Sequence, residues 1–231
     1  DVTSGTLTEL WDAARVAQHP PTAEEIAAAQ SRVDWRALEL RKRAADDGEH
    51  PEVRLLRAGM KIDRGALIKG LALDGIARSW AAGGAVNALA DLGSSSILAC
   101  GVNAEGEPWR IGVRNPRGES RSDLAATVQL SDAMLSASGD DERYFLYEGR
   151  RYHHLVDPRT GNPAETGLAS VTVILPQDAM TGTMWAGHEG QLSDMLSTAI
   201  FVMGAERGRS LLTDIPGSQL ILIGTDGRVI E

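Results

Sequence analysis

The sequence predicts an α+β protein, mostly antiparallel sheet flanked by helices. Short strand signals follow one another with hairpin turns between them. The strict strand–helix alternation of a doubly wound parallel sheet is missing from the middle of the chain. At 231 residues, 42% of them apolar, the chain is long enough for one domain with a sizeable core or for two small lobes. It reads as a single domain over 1–231, with a helical N-terminal part over 1–52 and an α+β core over 53–231.

In order along the chain, 7–16 reads as a helix with Leu7, Leu10, Trp11 and Ala14 recurring at helical spacing. After His19-Pro20-Pro21, Thr22 is placed as an N-cap, with Glu24 and Glu25 in the first turn of a second helix. Residues 41–51 (RKRAADDGEHP) are charged and read as an exposed loop. A strand or strand pair is expected over 53–62 and a long helix over 65–82, with Leu67, Leu71, Ile76 and Trp80 broadly on one side. Strands follow at 96–102 and 109–114, joined by a turn at Asn103-Ala-Glu-Gly106, then at 125–130, 143–147, 151–156 and 168–175. Glu148-Gly149 turns the 143–147 strand into the next. Residues 176–192, rich in Gly, Thr and Met, read as a mobile loop, 193–203 as a compact helix, and 220–230 as a hairpin around Thr225-Asp226-Gly227. No internal repeat or low-complexity segment is present.

Charge and composition exclude several functions. The balance of 23 Lys+Arg against 32 Asp+Glu gives a formal charge of −9, which repels nucleic-acid backbones and anionic membrane surfaces. Basic residues cluster over 110–117 and 150–159, where local charge is expected to suit one phosphorylated small molecule. Cys100 is the only cysteine, so neither an intrachain disulfide nor a thiolate metal cage can form. No stretch has the length of a transmembrane helix, and none has the pattern of a signal peptide. The chain begins at Asp1 rather than methionine, so a processed or trimmed product is expected.

Four constellations carry potential chemistry. In Asp63-Arg-Gly65-Ala-Leu-Ile-Lys69-Gly70, a strand end followed by a helix start points backbone N–H groups outward towards anions. Taken alone, a capping Asp63, a permissive Gly65 and a solvated Lys69 are the commoner explanation of such a short glycine motif. In His154-Leu-Val-Asp157-Pro158-Arg-Thr160-Gly161-Asn-Pro163, turn chemistry fixes a loop and places His154 for proton transfer or phosphate contact. A plain turn with a hydrogen-bonded histidine is the competing reading, and His153 beside it is taken as structural. In Ser193-Asp194-Met-Leu-Ser197-Thr198-Ala199, helical spacing gathers a carboxylate and two hydroxyls on one face, suiting a hard cation such as Mg²⁺. A capping network around Asp194 is the alternative. Around Ser136-Ala-Ser138-Gly139, a small-residue turn before a strand could present donors to a flavin or phosphate, or be a simple loop. Trp109, Tyr152 and Trp185 could stack on a ring system, although core packing is the commoner reason for such residues.

In their order and spacing these segments resemble the ApbE family of flavin transferases. That family carries Asp-x-Gly-x-x-x-Lys-Gly, Trp-Arg-(Ile/Val)-Gly, a Ser-Gly turn, His-x-x-Asp-Pro-x-Thr-Gly-x-Pro, Ser-Val-Thr-Val and an Asp-x-Leu-x-Thr-Ala helix before Met-Gly. Here they stand at 63–70, 109–112, Ser138-Gly139, 154–163, 170–173 and 194–199, with Met203-Gly204. Asp1-Val-Thr-Ser-Gly-Thr-Leu is similar to the family's early Asp-Val-Thr-x-Gly-Pro-Leu, so the resemblance runs the length of the chain.

The resemblance implies Mg²⁺-dependent transfer of FMN from FAD to a threonine of an acceptor redox protein, with release of AMP. It implies that Asp63, Lys69 and Val156 contact FAD, with Ser138 and Gly139 in the same pocket. Mg²⁺ would be held by the Ala66 carbonyl, Asp194 and Thr198, with Ser197 where some members have a second carboxylate. His154 would assist chemistry and Asp157 would brace its loop. The chain departs from the family in four ways. The segment supplying part of the FAD pocket is absent before Asp1, and Asp12-Ala-Ala14 follows Trp11. Gly93-Ser94 replaces Gly-Gly, and Asp141 replaces an aromatic. Two other functions fit the same residues: an FAD pyrophosphatase giving FMN and AMP, and an inactive flavin-binding module. By resemblance, a periplasmic or extracytoplasmic setting is expected.

Overall fold

The computed structural model describes residues 1–45, 48–120 and 122–230. Along the chain run α1 (Gly5–Ala17), α2 (Ala23–Gln30), β1 (Leu38–Ala45), β2 (Gly48–Leu55), α3 (Ile68–Gly83), β3 (Ala88–Asp91) and β4 (Ser96–Cys100). Then come β5 (Trp109–Arg114), β6 (Leu124–Leu130), β7 (Ala133–Gly139), β8 (Tyr144–Tyr147), β9 (Arg150–His153) and β10 (Leu168–Pro176). Helices α4 (Glu189–Met203) and α5 (Ala205–Leu212) and strands β11 (Gln219–Gly224) and β12 (Val229–Ile230) complete the chain. The fold is α+β with antiparallel sheets, and the chain divides into two compact units, 1–64 with 143–164 and 65–142 with 165–231.

The first unit packs α1 and α2 with the β8–β9 hairpin. Its core is Trp11, Ala14 and Phe145, with Ile26, Tyr147, Tyr152 and Val156 against them. Tyr152 stacks between Trp11 and Phe145, with ring centroids 5.7 and 5.2 Å away. Trp11 Nε1 donates to the Gly161 carbonyl at 2.8 Å, which satisfies the one polar atom the ring buries. Thr22 caps α2 as expected, in a full capping box with Glu25. The charged stretch read as a loop is instead an antiparallel hairpin of β1 and β2, and Asp46 and Asp47 within that reading lie outside the described residues. Strand β2 is exposed at every position but Leu55, so no buried face imposed the alternation that reveals a strand. The expected boundary at residues 52 and 53 falls inside β2, so 1–52 is not wholly helical.

The second unit is built on a six-stranded antiparallel sheet in the order β12-β11-β10-β7-β4-β3. Strand β10 is buried at every position from Leu168 to Leu175, as a central strand covered on both faces must be. Alternation in β4 and β7 sorts the two faces. Ile97, Ala99, Ala133 and Leu135, with Ile174, pack against Trp109, Ile111 and Val128 of the β5–β6 hairpin. Leu98, Cys100 and Met134 face Leu73, Ile76, Ala77 and Trp80 of α3. Trp109 and Tyr152 are therefore packing residues, and Trp109 Nε1 is satisfied by the Cys100 carbonyl at 3.0 Å.

Strands β4 and β5 do not pair with each other across the Asn103–Gly106 turn: β4 joins β3 and β7, and β5 joins β6. Ser138 and Gly139 end strand β7 and do not form a turn, because both pair with β10. Helix α4 starts four residues before the expected 193. Among the described residues no helix is long and apolar enough to cross a membrane.

Candidate active site

Helices α3 and α4 begin in contact, and the contact is between two glycines. A Cβ on Gly70 would lie 2.1 Å from the Gly190 carbonyl oxygen, and one on Gly190 would lie 2.6 Å from that of Gly70. Neither helix has a side-chain cap from its own N-cap residue, Leu67 or His188. Each is capped by the other. Asp194, in the second turn of α4, accepts the Gly70 N–H at 3.0 Å. Asp74, in the second turn of α3, accepts the N–H groups of Gly190 and Gln191 at 2.7 and 3.1 Å. The capping alternative weighed for Asp194 is thus realised on the neighbouring helix rather than its own.

The helix begins at Ile68, so residues 65–67 form a turn ahead of it and Gly65 is not in its first turn as expected. Ala66 lies in that turn. Lys69 is in the first turn of α3, and its Nζ donates to Ser95 Oγ. Ser197 and Thr198 are brought together with Ser138 across the helix–sheet interface: Ser138 Oγ is 2.9 Å from Ser197 Oγ and 3.0 Å from Thr198 Oγ1. Ser197 Oγ also donates to the Asp194 carbonyl at 2.9 Å. Counting donors then assigns a chain from Thr198 to Ser138 to Ser197, which leaves acceptor lone pairs on Thr198.

Asp194 is 4% exposed. Burial pushes its carboxyl above the usual range, opposed by the Gly70 N–H and the Lys69 charge. A desolvated carboxylate among hydroxyls is the donor chemistry of a hard cation, and a cation would relieve the cost of its burial. Among the described residues no three His, Cys, Asp or Glu side chains stand together as a protein-only cage. The oxygens of Asp194, Ser197 and Thr198 are therefore of the kind Mg²⁺ takes, with its remaining ligands to come from elsewhere in the chain, from substrate or from water.

In the first unit, Asp63 accepts from Thr8 Oγ1 at 2.6 Å. His154 follows β9, and its backbone N–H donates to the Arg143 carbonyl at 3.1 Å. Its Nδ1 is buried with no hydrogen-bond partner among the described residues. Burial, then the Arg143 and His153 charges, lower the ring pKa from 6.5 to about 3, against the opposing charge of Asp63. The ring is neutral at physiological pH. His153 is structural as expected: Nδ1 accepts the Leu155 N–H and Nε2 meets the Ala164 carbonyl, both at 3.2 Å.

The following loop is fixed. The Asp157 carbonyl accepts from Thr160 and Gly161, its N–H donates to Asn162, and Val156 bridges to Pro163. Burial raises the Asp157 carboxyl, but the Arg159 hydrogen bonds outweigh it and hold it below its usual value. Val156 packs on the Trp11–Phe145 core.

The basic clusters are largely spent within the protein. Arg114 is paired with Asp141 and Glu142, Arg117 with Asp140, and Arg159 with Asp157. Arg150 and Arg151 lie over the rings of Tyr152 and Tyr144. The positive charge beside Asp194 is that of Lys69 in the first turn of α3, which composition alone did not distinguish. Sequence reasoning also missed Asp74, whose signal is the repeated Gly-x-x-x-Asp of Gly70–Asp74 and Gly190–Asp194.

The family model described as the ApbE family matches residues 1–222. The chain belongs to the ApbE family. An FAD:protein FMN transferase of Treponema pallidum is 33% identical over 97% of this chain, and one of Haemophilus influenzae is 29% identical over 98%. The chain spans 60% and 61% of the lengths of these curated relatives. Among solved structures, the ApbE protein of Thermotoga maritima is 32% identical with a TM-score of 0.76, covering 100% of this chain and 69% of that one. The flavin transferase ApbE of Vibrio cholerae is 25% identical with a TM-score of 0.73, covering 100% of this chain and 67% of its own.

Proposed function

We propose that this ApbE chain carries the site for moving FMN from FAD to a threonine of an acceptor redox protein, with AMP released and Mg²⁺ required. The observation that carries the reading is the oxygen-donor cluster of Asp194, Ser197, Thr198 and Ser138 beside the Gly70 end of α3 and the Lys69 charge. A hard cation and a pyrophosphate need that combination of groups. The family's transferase relatives support the choice of flavin chemistry.

Asp194, Thr198, Ser197 and the Ala66 carbonyl hold Mg²⁺ in this proposal, and bound Mg²⁺ supplies Lewis acidity towards the pyrophosphate oxygens. Lys69 and the first turn of α3 attract and orient the phosphates. Asp63, Val156, Ser138 and Gly139 are the FAD contacts in this proposal, on the strength of the family resemblance alone. The threonine oxygen forms a bond to the FMN phosphorus as the bond from that phosphorus to the AMP oxygen breaks.

The threonine proton must leave. With a ring pKa of about 3, His154 is a weak base in the free protein. The negative charge of a substrate phosphate close to Nδ1 would raise that pKa, so in this proposal His154 serves as proton acceptor only with substrate bound, or orients the attacked phosphate. Asp157 holds the loop that follows. The extracytoplasmic setting belongs to the same proposal.

Incubation of the protein with FAD, Mg²⁺ and a threonine-bearing acceptor peptide tests it. Covalent flavin on the peptide with equimolar AMP is expected. Free FMN with AMP would replace transfer by hydrolysis, and intact FAD would leave a flavin-binding module.

A further inference from the structure

Asp74 is 1% exposed and touches none of the groups assigned to substrate or metal. A buried carboxylate is retained only when its charge is well satisfied, and Asp74 is satisfied entirely by the start of α4. It takes the Gly190 and Gln191 N–H groups at 2.7 and 3.1 Å and Gln191 Nε2 at 3.3 Å. Four residues after each contacting glycine stands an aspartate, Asp74 after Gly70 and Asp194 after Gly190. The two helices thus exchange caps about a glycine–glycine contact. No side chain fits at Gly190 on the side facing α3, because an added Cβ would lie 2.6 Å from both Asp74 Oδ1 and the Gly70 carbonyl oxygen.

We infer that Asp74 is a positioning residue for Asp194: by anchoring the first turn of α4 to α3, it sets the register in which Asp194, Ser197 and Thr198 are presented. Gly190 and Asp194 are one turn apart in the same helix, and Ser193 Oγ between them bonds the Gly190 carbonyl and meets Ser136 Oγ, both at 2.9 Å. A shift at Gly190 is therefore carried one turn along to Asp194. The same shift separates Asp194 from the Gly70 N–H. The metal half of this inference rests on the proposed function; the helix-register half does not.

The test uses Asp74→Asn, which keeps shape but turns an N–H donor towards the N–H groups of α4, and Asp74→Ser, which keeps one acceptor in case the first variant fails to fold. Hydrogen exchange at the Gly70 amide reads the register without metal or FAD. Calorimetric titration with Mg²⁺ in the presence of FAD reads the site. Asp74→Asn is expected to speed Gly70 exchange by about tenfold or more and to weaken Mg²⁺ binding by about tenfold, with Asp74→Ser between it and wild type. Saturating Mg²⁺ is expected to recover most of the turnover, because the ligands remain. Unchanged Gly70 protection, or Mg²⁺ affinity within about twofold of wild type despite a lowered melting temperature, would make Asp74 a merely structural cap. Failure of the wild-type protein to bind Mg²⁺ would sink the metal reading, and Gly70 exchange would still decide whether Asp74 positions Asp194.

Discussion

Asp74 and Asp194 cap each other's helices: each carboxylate, one turn into its own helix, accepts backbone N–H groups from the first turn of the other. The exchange requires the helix starts to touch, and only glycine permits that. Gly70→Ala and Gly190→Ala should each destabilise the protein by about 1–3 kcal/mol through forced separation of the helices. Urea unfolding at constant m-value checks this. Wild-type stability in either variant would mean that the contact is slack.

The turn between β3 and β4 should yield a gain. Gly93 and Ser94 have φ of +72° and +61°, and the Ser94 N–H is held by Asp91 Oδ1 at 2.6 Å. A left-handed residue with a Cβ costs about 1–2 kcal/mol, and glycine returns part of that as lost chain entropy. Ser94→Gly is expected to stabilise by about 0.5 kcal/mol, read as a raised urea midpoint. A lowered midpoint would show that the serine side chain contributes more than its backbone costs.

The pH dependence of stability should carry the mark of His154. Its folded pKa of about 3 lies below the ordinary 6.5, so the unfolded chain binds the proton better. Stability is untouched above that ordinary value and falls as pH drops from 6.5 towards 3. His154→Gln should flatten the curve in that window while leaving the alkaline side unchanged. An identical acid slope in both proteins would remove burial of His154 as its cause.

Asp194 works in the opposite sense. Its folded pKa is raised by burial, so its favourable contribution is present below the ordinary carboxylate range and is lost as pH rises through the folded value. Above the folded value the ionised carboxylate is a cost, which a bound cation would offset. Without divalent cation, Asp194→Asn should melt no lower than wild type at pH 8. With Mg²⁺ and FAD, the wild-type melting temperature should rise and that of the variant should not. A metal-induced rise of equal size in both would remove Asp194 from the site.

Much of this was legible in the sequence where one face of an element is buried. The 3.6-residue spacing of Leu7, Leu10, Trp11 and Ala14 gave α1, and Thr22 with Glu25 gave the capped start of α2. The gathering of Ser197 and Thr198 near Asp194 followed from helical spacing alone. Elements without a buried stripe were not legible. The β1–β2 hairpin exposes both faces, and its only trace is Leu38, Leu40, Val53 and Leu55 at period two. Ser136, Ser138 and Gly139 read as a turn because small polar residues mark turns. They belong to a central strand because the α4 hydroxyls of Ser193 and Ser197 satisfy those serines from above. The pairing of Arg114, Arg117 and Arg159 with carboxylates, the seating of Arg150 and Arg151 over tyrosine rings, and the bonds of Asp74 to α4 are tertiary events that composition does not record.

The most direct measurement is AMP release from FAD in the presence of Mg²⁺ and acceptor peptide, comparing wild type with Asp194→Ala. Wild-type protein should release AMP in step with peptide that gains the mass of FMN. Asp194→Ala should be slower by about a hundredfold or more at equal Mg²⁺, with its fold intact by circular dichroism. Full-rate AMP release by the variant would contradict the assignment of the site to Asp194.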